Sequence, residues 1–205
     1  MRFSMTDEIA TEDEPARRSI GAKRNPDSAE AILEAAEELL RDKGYAGFSI
    51  EAVAKRARAG KPTIYRWWPN KTALLLEVYQ RQKGQVDYSD TGSIEEDMFR
   101  FMKSLFHQWR ETQTGEIFRS LVAEAQQDDA ALKALAHYAG TRRGRTRQIV
   151  ERAQKRGEVR ADVMPEVVAD LLAAYAWIHL LTDRLYESDE TIRAAVAVIA
   201  NGIKS

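Results

Sequence analysis

The sequence predicts an all-α fold, and three observations carry that expectation. Strong helix formers (Ala, Leu, Glu, Arg and Lys) dominate from Pro26 onward. Apolar residues recur at intervals of three and four rather than alternating, the period of a helix with one buried face. The 205 residues are 44% hydrophobic and 31% charged, enough to bury a core and too apolar for wholesale disorder. The pattern divides into an N-terminal three-helix helix-turn-helix domain and a larger helical domain, about nine helices in total.

Residues 1–24 hold few large apolar side chains. Acidic Asp7, Glu8, Glu12, Asp13 and Glu14 precede a basic arm of Arg17, Arg18, Lys23 and Arg24, so the segment reads as a mobile tail. The first domain spans 25–87. Asp27, with Glu30 three residues later, fits an N-terminal cap, and Ile32, Leu33, Ala36, Leu39 and Leu40 make the apolar stripe of the first helix. Gly44 stops it. Ser49 caps a second helix that buries Ile50, Val53, Ala54 and Ala57, and Gly60 breaks it. A third helix is expected over 61–68, with Pro62 tolerated in the first turn, where amides have no intrahelical partner. Pro69 ends it, Asn70 caps again, and a fourth helix over 71–86 turns Leu74, Leu75 and Val78 inward.

Residues 87–92 form a polar, turn-rich joint. The second domain, 93–205, is expected to hold helices over 93–112, 115–126, 128–156, 165–186 and 188–204, with Gly140 and Gly144 bending or splitting the third of them.

Several classes of function are excluded by composition. Without cysteine there is no disulfide, thiolate metal site or thiol catalysis. His107, His137 and His179 have no metal-ligand spacing, so neither a metal nor another cofactor is expected. No apolar run reaches the roughly 20 residues of a membrane span, and a signal peptide's apolar core is missing, which points to the cytoplasm. A formal net charge of −1 is too balanced for a protein that coats nucleic acid with its whole surface.

The window 49–68 and the residues just after it carry the chemistry. Two short helices meet at a small-residue turn, as a DNA reader requires: the second helix enters the major groove while the first braces it across the backbone. With Ile64 and Trp68 facing inward, the third helix leaves Lys61, Thr63, Tyr65, Arg66 and Trp67 for solvent or DNA. Thr63 offers a hydroxyl and a methyl group. Arg66 suits a bidentate pair with guanine or a phosphate contact, whereas Lys61 and Tyr65 suit phosphates. Ser49 and Asn70 stand at helix N-termini, where oriented N–H groups and the dipole attract anions, and Lys71 adds a full charge. The basic stretch Arg142, Arg143, Arg145, Arg147, Arg152, Lys155 and Arg156 lacks aromatic residues for base stacking and is expected to face acidic neighbours or water.

The segments ILEAAEELLRDKGYAGFSIEAVAKRA and KPTIYRWWPNKTALL make residues 26–80 resemble the N-terminal domain of TetR/AcrR-type transcriptional regulators. The resemblance implies DNA contacts from Lys61, Thr63, Tyr65, Arg66 and Lys71, a phosphate on Ser49, and Phe48 in the core. Three positions depart from the family's pattern. Arg58 stands where a turn glycine is usual, Gly60 where a Ser or Thr cap is usual, and Pro62 where glycine is usual.

One helix-turn-helix covers a half-site, so the resemblance also implies a homodimer on double-stranded DNA. Its surface is expected on the last two helices, 165–186 and 188–204, which are more apolar all round than one core face needs. The middle helices then resemble an inducer sensor for a largely apolar small molecule. Phe99, Met102, Phe106 and Trp109 share roughly one helical face, and Phe118, Leu121, Tyr138 and Trp177 are candidates to converge on it.

The leading expectation is a ligand-responsive repressor that binds a pseudo-palindromic operator. A regulator or activator without an effector is the alternative, to be told apart by whether a cavity or a solid core lies beside residues 99–109. A small helical enzyme is a remote third, since no nucleophile–base pair, metal cluster or phosphate loop is present in the pattern.

Overall fold

Nine α-helices and one short 3-10 turn make up the regular structure of the described residues, which in this computed structural model are 26–205 except 83 and 85. The tail expected over 1–24, with its acidic and basic stretches, lies outside them. The helix α1 (Pro26–Lys43) begins at the proline, whose missing N–H costs nothing at a first helical position. Asp27 therefore sits inside the first turn rather than at the cap, where its charge faces the positive end of the helix dipole. Ile32, Leu33, Ala36, Leu39 and Leu40 are all buried.

Gly44 follows with φ 62° and ψ −172°, a region open to glycine and almost nothing else. It turns the chain into the 3-10 turn Tyr45–Gly47 and delivers Phe48 to the core. The next two helices, α2 (Ile50–Arg56) and α3 (Lys61–Trp67), have seven residues each, far too few to be stable alone. They persist because Ile50, Val53, Ile64 and Trp68 are buried against the rest of the domain. Trp68 is the C-cap of α3 rather than its last turn, and its indole N–H donates to the Glu77 carboxylate across 2.5 Å, fastening α3 to α4 (Lys71–Gln82).

Between α2 and α3 the chain reverses through a left-handed residue, Arg58, at φ 51°. The Arg58 N–H reaches the Lys55 carbonyl at 3.4 Å and the Ala59 N–H reaches that of Ala54 at 3.0 Å, the paired 5→2 and 6→1 bonds of a Schellman ending. Arginine occupies a site that favours glycine, at a conformational cost of about 1–2 kcal/mol.

The fourth helix stops at Gln82 instead of reaching Val86. Gly84, a poor helix former, follows, and Val86 is buried from non-helical chain. The second layer comprises α5 (Ile94–Glu111), α6 (Thr114–Ala125), α7 (Asp129–Lys155), α8 (Pro165–Leu181) and α9 (Asp189–Ile203). Gly140 and Gly144 do not split α7, which is continuous over 27 residues. The eighth helix ends five residues before the expected Tyr186. Asp183 turns left-handed at φ 58°, and the Arg184 N–H bonds back to the His179 carbonyl at 2.8 Å, closing the helix as Ala59 does for α2.

Helix α5 packs on α6, α7, α8 and α9, and α7 lies along α8. Helix α4 belongs to both layers, touching α1 on one side and α6 and α7 on the other. One buried apolar cluster consequently runs from Ile32 through Leu74 and Tyr79 to Ile203.

Two substitutions test the backbone argument by urea denaturation. Gly44→Ala is expected to lower stability by about 1–3 kcal/mol, because alanine must enter a region it avoids. Arg58→Gly is expected to raise the urea midpoint, by about 0.5–1 kcal/mol in stability, with an unchanged m-value. A lower midpoint for Arg58→Gly would mean that the side chain contributes more than its backbone costs.

Candidate nucleic-acid interface and ligand cavity

The short third helix presents its polar residues outward because Ile64, fully buried, fixes its rotation. Lys61, Tyr65 and Arg66 are exposed, Thr63 and Trp67 are half-buried, and the Trp67 and Trp68 rings lie 6.2 Å apart. The Lys61 ammonium pairs with Glu51 on α2, and that hydrogen bond holds its pKa above the ordinary lysine value. The contact ties α2 and α3 together across their solvent face.

Ser49 and Asn70 act first as caps. The Ser49 hydroxyl oxygen accepts the Ala52 N–H at 3.1 Å, and Asn70 Oδ1 accepts the Ala73 N–H at 2.8 Å. Capping uses the oxygen lone pairs, so the Ser49 O–H remains a donor for a phosphate at the start of α2.

Lys71 is more constrained than its neighbours. Its ammonium lies 3.0 Å from the Glu124 carboxylate on α6 and donates to the Tyr45 hydroxyl at 3.1 Å, while the Tyr45 hydroxyl donates to the same carboxylate. Burial works against this charge, but the bonds to Tyr45 and Glu124 outweigh it and the Lys71 pKa is raised. The lysine at the N-terminus of α4 is thus held by a residue of α6.

Where α4 meets the second layer, a cavity of about 510 Å³ opens between α4, α5, α6, α7 and α8. Trp109, Phe118, Tyr138 and Trp177 line it. Trp109 stacks on Phe118 at 5.7 Å, and Trp177 meets Phe118 edge-on at 5.4 Å. The other four candidates lie elsewhere. Met102 and Leu121 are packed in the core, and Phe99 lies under the Arg193 guanidinium, 3.6 Å from it. Phe106 faces a second, more polar cavity of about 500 Å³ beside Leu185 and Ile192. One helical face of α5 cannot serve one cavity, because α6, α7, α8 and α9 surround it.

The cavity also takes Tyr79, Val86, Tyr88, Phe101, Leu105, Arg142 and Thr146, which periodicity did not single out. Tyr79 belongs to a helix counted with the DNA-reading domain, and Arg142 to a basic run read as solvated. The Trp109 indole N–H donates to the Tyr79 hydroxyl at 3.0 Å, and the Tyr79 and Tyr138 rings meet edge-on at 5.7 Å. Burial pushes both phenols up, so each remains a neutral hydrogen-bonding group in the cavity wall. Exposed Ala136, Gly140, Arg143, Asp170 and Ala174 mark its mouth, where Arg143 pairs with Asp170.

Among the described residues no group of three or more His, Asp or Glu is placed to hold a metal ion, and no helix is long and apolar enough to cross a membrane. His179 is buried against Phe106 and Tyr175, with its ring bonded to the Tyr175 carbonyl at 2.7 Å.

Comparison with known proteins agrees with this geometry. Residues 32–78 match the family described as bacterial regulatory proteins, tetR family, and residues 88–199 match the tetracyclin repressor-like C-terminal domain. An HTH-type transcriptional regulator of Bacillus subtilis (strain 168), YdeS, is 27% identical over 187 residues, covering 90% of this chain and 94% of its own length. The DNA-binding transcriptional repressor TetR of Mycobacteroides abscessus is 29% identical over 161 residues, covering 77% and 81%. The crystal structure of a TetR family transcription regulator, SCO0332, superposes with a TM-score of 0.73 at 27% identity, covering 86% of this chain and 98% of that one. The chain belongs to the TetR family, a family of non-enzymatic regulators, and is a DNA-binding transcriptional regulator.

Proposed function

We propose that the protein is a ligand-responsive repressor that binds a pseudo-palindromic operator as a homodimer. The observation that carries this reading is the span of α4. Its N-terminal Lys71 stands at the DNA-reading unit, and Tyr79 on the same helix lines the cavity. A small molecule in the cavity touches the element that positions the reading head. The cavity also favours this reading over a regulator without an effector, for which a solid core would be expected.

Dimerisation is supported by helix α8. Val167, Leu171, Ile178 and Leu181 are each about half exposed, and with Ala174 they recur at intervals of four and three along one face. Val198 adds an apolar residue 76% exposed on α9. The opposite face of α8 already buries Val168, Leu172, Ala176 and Leu180, so the outer stripe is surplus to the monomer's core and suits a second copy of the same helices.

On the DNA, Thr63 and Arg66 are assigned to bases, and Ser49, Lys61, Tyr65 and Lys71 to phosphates. Fluorescence anisotropy with the gene's own upstream region, titrated at several salt concentrations, tests the assignment. Arg66→Ala should relax sequence preference by about 1–3 kcal/mol at one position. Lys71→Ala should weaken all sequences alike and lower the salt slope by about one. Equal, small effects from both would reverse the two roles. For the dimer, the double substitution Leu171→Glu and Ile178→Glu should give a monomer in sedimentation velocity, with an unchanged thermal melt in dilute solution and lost operator affinity. A persistent dimer would move the interface elsewhere.

A further inference from the structure

Along α7, the arginines that face neighbouring elements are matched with carboxylates. Arg143 pairs with Asp170, Arg147 with Glu166 at 2.8 Å, and Arg152 and Arg156 with Asp90 at 3.7 and 2.6 Å. Arg142 differs. It is half-buried and lines the cavity, yet no carboxylate among the described residues pairs with it. Its guanidinium donates to the Tyr88 hydroxyl at 2.6 Å and lies 5.6 Å from the centre of the same ring. Among the described residues, Arg142, Arg143 and Asp170 are the formally charged residues that line the cavity, and the last two neutralise each other. The cavity therefore carries one uncompensated positive charge against aromatic walls.

A guanidinium partly removed from water is costly unless an anion meets it. One unit of charge calls for a monoanion, because a dianion would leave a second buried charge unmet. The planar fork of donors on arginine matches a carboxylate. The remaining wall, formed by the rings of Tyr79, Trp109, Phe118, Tyr138 and Trp177, offers faces and edges to a flat apolar body. A volume of about 510 Å³ suits a small molecule.

We propose that the cavity binds an aromatic carboxylate, its rings packed among Trp109, Phe118 and Trp177 and its carboxylate paired with Arg142. This rests on reading the cavity as the effector site. The anion competes with the Tyr88 hydroxyl for the guanidinium, and Tyr88 lies in the segment joining the two layers. The ligand's polar end thus bears on the joint while its rings bear on α4 through Tyr79.

The test uses the full-length protein and a panel of benzoate, 2-naphthoate and anthracene-9-carboxylate, each beside its own primary amide. Binding is read by quenching of tryptophan emission, since Trp109 and Trp177 line the cavity, and by the shift in melting temperature. The best-fitting carboxylate should bind about tenfold or more tightly than its amide. Arg142→Gln should bring the acid down to the affinity of the amide, and Arg142→Lys should retain part of the preference. If Arg142→Gln melts early, the wild-type acid-to-amide ratio and Arg142→Lys decide the matter. Equal affinity for acid and amide, or a preference that survives Arg142→Gln, overturns the anion assignment and leaves the cavity reading in place. Failure of every member of the panel to quench emission or shift the melt overturns both.

Discussion

The architecture depends on burying α4 on both sides. Thr72, Leu74, Leu75, Leu76, Val78 and Tyr79 are all buried, more of the circumference than one amphipathic face supplies. A helix so placed cannot move relative to one layer without moving relative to the other, because close-packed side chains transmit displacement. Short α2 and α3 have no stability of their own and inherit their position from α1 and α4, through Ile64 and the Trp68–Glu77 bond. The orientation of α3 is therefore set by the same packing that shapes one wall of the cavity.

Charge follows a complementary logic. The basic run on α7 is expensive to bring beside other helices, and its pairing with Asp90, Asp170 and Glu166 makes it a set of fasteners. Arg152 additionally donates to the carbonyls of Tyr88 and Ser89, at 3.0 and 2.7 Å. The joint between the layers is accordingly strapped along α7. Glu158 adds to this by accepting the Ile94 N–H at the start of α5, at 2.8 Å, while its other contact is the Arg156 guanidinium at 3.0 Å. Against this background of matched pairs, the Arg142 guanidinium stands apart, bonded to the Tyr88 hydroxyl and lining the cavity with no carboxylate partner among the described residues.

Much of this was legible in the chain. The helix period, the Ser49 and Asn70 caps and the inward Ile64 and Trp68 depend on neighbours a few residues away, and local rules resolve them. The departures have local causes as well: a left-handed Asp183 ends α8 early, and Gly84 follows the early end of α4. The cavity was less legible. Trp109 and Phe118 could be proposed from spacing, but Tyr79, Tyr88 and Arg142 reach the same space from a different layer, a connector and a basic run. Phe99 and Phe106 share a helix with Trp109 and face other neighbours. Convergence of residues distant in sequence is set by helix crossings, which periodicity does not encode.

The contact between Lys71 and Glu124 shows why such convergence matters for control. A ligand shifts a conformational equilibrium only by its difference in affinity between the two states, so tight binding in the cavity is not enough to release DNA. On the proposed reading the difference has to arise where one element contacts both the cavity and the helix-turn-helix. Helix α6 is such an element: Phe118 lines the cavity, and Glu124, further along, holds Lys71 together with the Tyr45 hydroxyl. If Lys71 holds a DNA phosphate, as proposed, that phosphate competes with Glu124 for the same ammonium. On that reading, a displacement of α6 that strengthens the carboxylate's hold would weaken the phosphate's, and by reciprocity DNA that captured Lys71 would free α6 to adjust around the cavity. On the proposed reading the coupling needs no long chain of intermediates, because α6 carries both Phe118 of the cavity wall and Glu124, which holds Lys71.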